Sequence, residues 1–548
     1  MSVVSVTVKA AGKALPVEYQ LLSVDVRRTL NRLPSAELVL LDGDMPEQRF
    51  PVSDAGLLAP GAEVEILARY EGGADASGRD VSLFKGLVVR HGIEAGARGG
   101  VLRLELRDKA VKMTRPRRSQ VSVDAKDSDV IGKLARAAGL SVQVDATNVV
   151  HDSLVQYDCS DWDWLVTRAE AVGLVVVVTD GALKVTKPVL PGHAALRVTW
   201  GSDIHDLEFT CDALGQDASV ATQSWDVRTQ KLAQAQGQKP PAPGQGRLTG
   251  TQAATALGFA AATLLHGAAL QAAEAKSWAD GEALRNQLGL LRGRVRVQGV
   301  GKIALLDAVD IIGVAKAFTG KALVTGLCHR ISDGDWTTDL QFGLAPTPHH
   351  RQPEIARAGA GGLLPPAAGL HIGVVEAVSG DPLNEHRIKV LVPGLGSNAP
   401  GLWARLASPE AGKGRGFHFW PEPGDEVVLG FFNDDPRQPV VLGALFGSKN
   451  TPPDAITDSS DKNNLRGLVT RSGLTLGLDD EKKQLSLQTP SGAKLLLDDE
   501  AEAIVISDKH GNEITLDKGG ISIKSAKDFL LDAGGGNVSV KGSKIDLN

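Results

Sequence analysis

Residues 460–548 constrain the fold of this chain more than any other stretch. Apolar triplets begin there at Leu474, Leu485, Leu495, Ile504, Ile514, Ile521, Phe529, Val538 and Ile545, at spacings of 11, 10, 9, 10, 7, 8, 9 and 7 residues. Most of them alternate, as in Ile514-Thr515-Leu516, Ile521-Ser522-Ile523 and Val538-Ser539-Val540, with Asp, Gly, Asn or Lys in the gaps. Each unit reads as a short strand and a turn, the pattern of a β-solenoid. A lone chain with such short strands and few large side chains does not fill a core. Three chains wound about one axis would bury the inward residues and leave Lys, Asp and Ser outside. Nine layers, one per triplet and about 4.8 Å apart, would make a shaft of about 40 Å.

Composition supports a β protein elsewhere too. Glycine is 62 of 548 residues and aromatics are 4%, against a glycine average of about 7%. The length allows several domains. The net charge of −6 gives no phosphate-neutralising surface, so a nucleic-acid partner is not expected. Cys159, Cys211 and Cys328 lie far apart, which fits neither a disulfide framework nor a zinc cluster. The alternating start, Val3-Val4-Ser5-Val6-Thr7-Val8, lacks the basic head and apolar core of a signal peptide, so folding in the cytoplasm is expected. Leu257–Ala273 is Ala-rich but short for a membrane span and carries Thr263, His266 and Gln271; it reads as a soluble helix.

The first 110 residues read as strands, including 64–68, 83–89 and 102–106, with a Gly-rich loop from Gly72 to Gly78. Helical inserts follow. Asp127 or Ser128 caps one helix, whose Val130, Ile131, Leu134 and Ala138 share a face, and Gly139 ends it. Ser160 caps a second at Ser160-Asp161-Trp162-Asp163-Trp164, with both acids at the positive end of the helix dipole. A buried strand over 174–178 turns at Asp180-Gly181 into 182–185, a hairpin. Residues 213–250 are polar and rich in Gln, Pro and Gly, and read as a mobile excursion before the Ala-rich helix. Strands resume from Gly293 to Leu344.

Ala358-Gly359-Ala360-Gly361-Gly362 and Pro365-Pro366 mark a linker over 356–368. Residues 369–450 then hold five or six short strands, at 371–378, 387–392, 403–407, 417–420, 426–432 and 440–445. That spacing suits a small closed barrel such as the OB-fold.

Several motifs now stand in order. They are Ser160-Asp161-Trp162-Asp163-Trp164 with Arg168-Ala169-Glu170-Ala171, Val324-Thr325-Gly326 through Trp336, and the barrel pieces. The barrel supplies Leu402-Trp403-Ala404-Arg405, Gly412-Lys413-Gly414-Arg415-Gly416, Pro421-Glu422-Pro423-Gly424-Asp425, Asp434-Asp435-Pro436-Arg437 and Gly443-Ala444-Leu445-Phe446. The set resembles the VgrG-like spike proteins of contractile injection systems, which include the type VI secretion tip and extracellular phage-tail-like particles. The resemblance implies a mainly β homotrimer with helical inserts. Residues 1–355 would form a hub with β-barrels, 369–450 an OB-fold collar, and 451–548 a three-chain β-helix or prism. It also implies partners: the tail tube protein, baseplate components, a PAAR-type tip protein and effectors, with transient contact to a target membrane. Some relatives carry an appended enzyme; here the repeats follow Lys449-Asn450 closely and no such domain is expected.

Other chemistry is less favoured. Gly412–Gly416 lacks the GxxxxGK[ST] pattern of a phosphate loop and reads as a basic turn. His349-His350 sits among prolines without spaced acidic partners, so no metal site is expected. His418, between Phe417 and Phe419, reads as a surface residue on a strand. Capping and Trp packing account for Asp161 and Asp163 better than a catalytic carboxylate pair does. No catalytic residue, metal or cofactor is assigned, and no enzymatic activity is expected. A cell-wall hydrolase on a β scaffold, or an adhesin on a tail-like particle, are the alternatives.

Overall fold

The computed structural model describes residues 3–71, 80–97, 99–115, 117–241, 244–353, 355, 357–396, 398–458 and 460–547. The Gly-rich loop read from Gly72 to Gly78 lies outside these residues. The chain divides into two compact units, Met1–Arg357 and Ala358–Asn548.

In the first unit, alternating apolar runs build a thirteen-stranded sheet. Strands Val3–Ala10, Leu21–Thr29, Ser35–Asp42, Glu63–Glu71, Val81–Gly96 and Gly99–Arg107 make one half. Their inward positions, such as Val26, Leu38, Phe84 and Leu104, are buried together. The other half includes Ile204–Cys211, Leu291–Gln298, Ala308–Ile312, Gly320–Ser332 and Asp335–Phe342, around a second core with Val295, Ile311 and Leu340. Antiparallel pairing of Gly320–Ser332 with Leu21–Thr29 joins the two halves. At that seam His329 is buried, and its Nδ1 lies 2.9 Å from Thr338 Oγ1. Burial, with Arg28 nearby, pushes its pKa down to about 3.

A helical module stands beside this sheet, with its own core. Helix α1 spans Asp127–Ala137 and α2 spans Asp161–Ala171. Gly139, at φ +78°, closes α1 in the left-handed region that favours glycine. The α1 cap differs from the sequence reading: Lys126 holds that position without a side-chain cap bond. Asp127 instead turns inward, where Arg168 neutralises it. Asp180 (φ 52°) and Gly181 (φ 82°) form the expected tight turn between Val175–Thr179 and Ala182–Thr186.

Two expectations fail between 213 and 290. The polar stretch 213–250 contains a hairpin, Val220–Asp226 with Lys231–Gln236. It is held because Val220 packs with Ala279 and Ala283. Leu257–Gln271 is not a helix, and only the last two residues of the expected one, Ala272 and Ala273, are helical. Helix α3 (Gly250–Ala256) ends before this stretch, Gly258 (φ +72°) turns the chain, and Ala262–His266 pairs parallel with Val220–Asp226. The long helix, α4, is Ala272–Leu290. Sheet pairing overrode the helix preference of alanine here. Among the described residues no helix is long and apolar enough to cross a membrane.

In the second unit, β1 (His371–Ala377), β2 (Ile388–Leu391), β3 (Leu402–Leu406), β4 (Glu426–Phe431) and β5 (Pro439–Ala444) close a barrel in the order β1-β2-β3-β5-β4. Strand β3 pairs parallel with β5 and the other neighbours are antiparallel, which is OB topology. Val390, Ala404, Val427, Leu429 and Val441 fill it. Phe417–Trp420 is not a strand, because the chain there has already left the small hairpin Ala411–Gly412/Arg415–Gly416. His418 is therefore exposed on a loop.

A seven-stranded antiparallel sheet follows: β6 (Leu465–Val469), β7 (Thr475–Asp479), β8 (Gln484–Gln488), β9 (Lys494–Asp498), β10 (Ala503–Ser507), β11 (Glu513–Asp517) and β12 (Gly520–Lys524). Each strand pairs with the next, so one chain makes a meander and not the coiled rungs of a solenoid. The triplets at Phe529, Val538 and Ile545 lie outside any strand.

Candidate assembly interface

The meander's register follows from its repeats. Thr470-Arg471-Ser472-Gly473 and Thr489-Pro490-Ser491-Gly492 are the same turn: each Gly N–H donates to the Thr carbonyl, at 2.8 and 3.0 Å. Gly473 and Gly492 have φ of 84° and 94°, which a side chain would strain. Turns of fixed length pin each five-residue strand, and alternate residues then stack on one face. One ladder runs Leu468, Leu476, Leu487, Leu495, Ile506, Ile514, Ile523. The second, two residues away, starts at Arg466 and continues Leu478, Leu485, Leu497, Ile504, Leu516, Ile521. The middle positions of the opposite face run Gly467, Gly477, Ser486, Leu496, Val505, Thr515, Ser522, mostly small or polar with two apolar residues at the centre.

This apolar face is uncovered. Ile506 is 47% exposed and Ile521 72%, and no described residue after Val441 is buried. Full burial of each such side chain is worth roughly 1.5–3 kcal/mol. The ladder face can therefore supply the stability that this sheet, within one chain, does not have.

The helix motif occupies a different place, in the first unit. Ser160 caps α2: its Oγ accepts the Asp163 N–H at 3.1 Å and donates to Asp163 Oδ2 at 2.6 Å. Asp161 is buried, accepting from Gln156 Nε2 at 2.9 Å and paired with Arg118 at 3.1 Å. Trp162 and Trp164 are buried, and the Trp164 Nε1–H donates to the Val155 carbonyl at 3.0 Å. Burial pushes the Asp163 carboxyl up, yet hydrogen bonds from His349 and Ser160 outweigh it and hold it below the ordinary range. Both acids are thus occupied by local contacts.

Two networks around this helix were not legible in the sequence. His349 is buried with Nε2 3.0 Å from Asp163, 186 residues earlier, and its N–H donates to Glu170 Oε2 at 2.8 Å. Arg168 forks onto the fully buried Asp127 at 2.6 and 3.1 Å, while His151 lies 3.1 Å from Asp127 and 3.6 Å from Glu274 of α4. Arg285 of α4 also pairs with Glu170 at 2.8 Å. These contacts fasten α4 to the module, and no spacing rule links residues so far apart.

The barrel motif residues shape turns. Trp403 lies on β3. Gly414 (φ +72°) makes the basic hairpin turn, and a Cβ on Gly416 would meet the Glu410 carbonyl at 2.4 Å. Pro421 precedes a turn in which Asp425 accepts the Glu422 N–H at 2.8 Å and the Gly424 N–H reaches the Val375 carbonyl at 2.8 Å. Asp435, ahead of Pro436, receives a fork from Arg437 at 3.0 and 2.6 Å, and that guanidinium holds its carboxyl low. Gly443 lies on β5 opposite Val428.

Comparison with known proteins gives three family matches along the chain. Residues 1–333 match the family model of the Alg8 N-terminal domain. Residues 371–446 match that of the type VI secretion system/phage-baseplate injector OB domain. Residues 484–548 match the phage baseplate V C-terminal trimerisation domain. The chain is 31% identical over 140 residues to the actin cross-linking toxin VgrG1 of Vibrio cholerae serotype O1, covering 24% of this chain and 12% of that protein. It is 34% identical over 87 residues to the type VI secretion system spike protein VgrG3 of the same species, covering 15% and 9%. The matches thus span about a tenth of these curated relatives' length. Among solved structures, the 43 kDa tail protein of prophage MuSo2 from Shewanella oneidensis is 12% identical with a TM-score of 0.47, covering 63% of this chain and 98% of that one.

Proposed function

The chain belongs to the Alg8 N-terminal domain family and, with its injector OB domain and baseplate V trimerisation domain, is VgrG-like; from that premise we propose that it is the structural spike of a contractile injection system. Three copies assemble through the C-terminal ladder faces into a needle. The first unit is the hub that meets the tail tube protein and baseplate components, and the barrel is the collar. A PAAR-type protein caps the needle, and effectors travel with it. The chain folds in the cytoplasm and acts in a particle released on firing, touching the target membrane only in passing.

The role is mechanical. Contraction drives the tube forward, and a stiff trimeric needle concentrates that force on a small area of envelope. Stiffness follows from many backbone hydrogen bonds that must break together if the shaft bends. The observation that carries this reading is the pair of unbroken apolar ladders on an uncovered face. Light scattering or native mass measurement of the full chain tests it: a trimer is expected, and a stable monomer overturns it. Purified protein is also expected to leave peptidoglycan intact, whereas turnover lost on mutating one acid would favour a hydrolase.

A further inference from the structure

We infer that the copies close head to tail through oppositely charged edges of the C-terminal sheet, the acidic edge of one copy seating on the basic edge of the next. The inference rests on the trimeric reading above and adds what orders the copies. In a meander the turns fall alternately on two edges. One edge carries Asp480-Glu481-Lys482-Lys483, Asp499-Glu500-Ala501-Glu502 and Lys518-Gly519, with the strand ends Asp479, Asp498 and Asp517. That makes eight acidic and three basic side chains; Asp480 and Glu481 are paired with Arg466 and Lys462 at the same edge and Asp479 with Lys482, which leaves 499–502 as the unpaired acidic turn among the described residues.

The other edge carries the turns after β6, β8 and β10, with Arg471, Lys494, Lys509 and Lys524 against Asp508 and Glu513. Asp508 is engaged within its own turn, accepting the His510 and Asn512 N–H groups at 2.8 and 3.1 Å. Among the described residues, Lys494, Lys509 and Lys524 form no ion pair on the one edge, and neither do Asp499, Glu500 and Glu502 on the other.

Threefold rotation shifts nothing along its axis, so equal strand levels of neighbouring copies meet. The acidic turn 499–502 joins β9 to β10, Lys494 opens β9, and Lys509 sits in the turn from β10 to β11. The acidic turn of one copy therefore faces the gap between Lys494 and Lys509 of the next, within about one strand spacing of 4.8 Å on either side. A two-fold pairing that set like edges together would oppose like charges, which is disfavoured. A closed ring in which every corner joins unlike edges satisfies both.

Three variants of the full chain test this: Asp499→Lys with Glu502→Lys, Lys494→Glu with Lys509→Glu, and all four changes together. Each is refolded from denaturant at about 0.01 M salt, where screening extends about 30 Å, and the trimer fraction is read by light scattering. Each two-site variant is expected to lower trimer yield about tenfold or more relative to the unaltered chain, since like charges then oppose at that level of every corner. The four-site variant exchanges the signs at this one level, where turn 499–502 meets residues 494 and 509, and is expected to regain most of the yield, which separates charge from misfolding. Mixing the two-site variants is expected to rescue little, because a ring of three cannot alternate two kinds of chain without one like-charge corner. If both two-site variants trimerise as well as the unaltered chain, or the four-site variant stays as poor as they are, the edge pairing is overturned while the trimer stands. An unaltered chain that stays monomeric overturns both.

Discussion

The thirteen-stranded sheet of the first unit and the seven-stranded sheet at the C-terminus are built from the same alternation of apolar and polar residues. In the first, inward residues such as Leu38, Leu104 and Leu340 are fully buried. In the second, the equivalent positions are half-buried or exposed along both ladders, and none is buried. The difference lies in long-range pairing. Gly320–Ser332 returns to Leu21–Thr29 from about 300 residues away, which assembles the first unit's two-core sheet. The C-terminal strands pair only with their sequence neighbours, so that sheet stays one layer thick. Alternation specifies a strand with two unlike faces, and chain topology decides whether one chain can cover them.

This contrast can be broken at single residues. Ile506→Asp sets a charge in the middle of a ladder, and three copies bring three such charges to one level; loss of the trimer by light scattering is expected. Thr515→Asp, in mid-strand on the opposite face of the neighbouring strand, should leave the trimer intact, and equal effects would refute the assignment of faces. In the first unit, Leu104→Ala should cost about 2–5 kcal/mol. Its melting transition should fall by the same amount at every protein concentration, whereas that of the C-terminal sheet should rise with concentration.

Acid sharpens the same comparison. His329 is held neutral in the folded chain with its pKa near 3, while an unfolded histidine protonates near 6.5. Its contribution is complete above the unfolded value and is lost as pH falls from there towards about 3. Denaturant unfolding of the first unit should therefore weaken by up to about 1.4 kcal/mol per pH unit across that range. His329→Gln should flatten the slope; an unchanged slope would mean that another group is responsible. The smallest effect is expected at the α2 cap, where Ser160→Ala should cost about 1 kcal/mol in the same assay.

Where the reading rested on local rules it matched the structure, as at the Ser160 cap, the Gly139 terminus and the Asp180-Gly181 turn. It failed where tertiary pairing competed with composition. Within alanine-rich 257–273, Ala262–His266 was drawn into a strand by Val220–Asp226, and Asp127 left the cap because Arg168 and His151 waited for it inside. Phe417–Trp420 alternates like a strand but has no partner strand. The His349–Asp163 contact joins residues 186 apart, a distance no motif spans.

The chain's order of residues alone dictated the turns, the strand faces and the continuous ladders, because those depend on φ, ψ and a two-residue period. Only the folded molecule decided which strands would be neighbours, and with them which apolar faces one chain covers and which it leaves open. Pairing partners are chosen by three-dimensional closure, and a one-dimensional pattern holds no record of that choice.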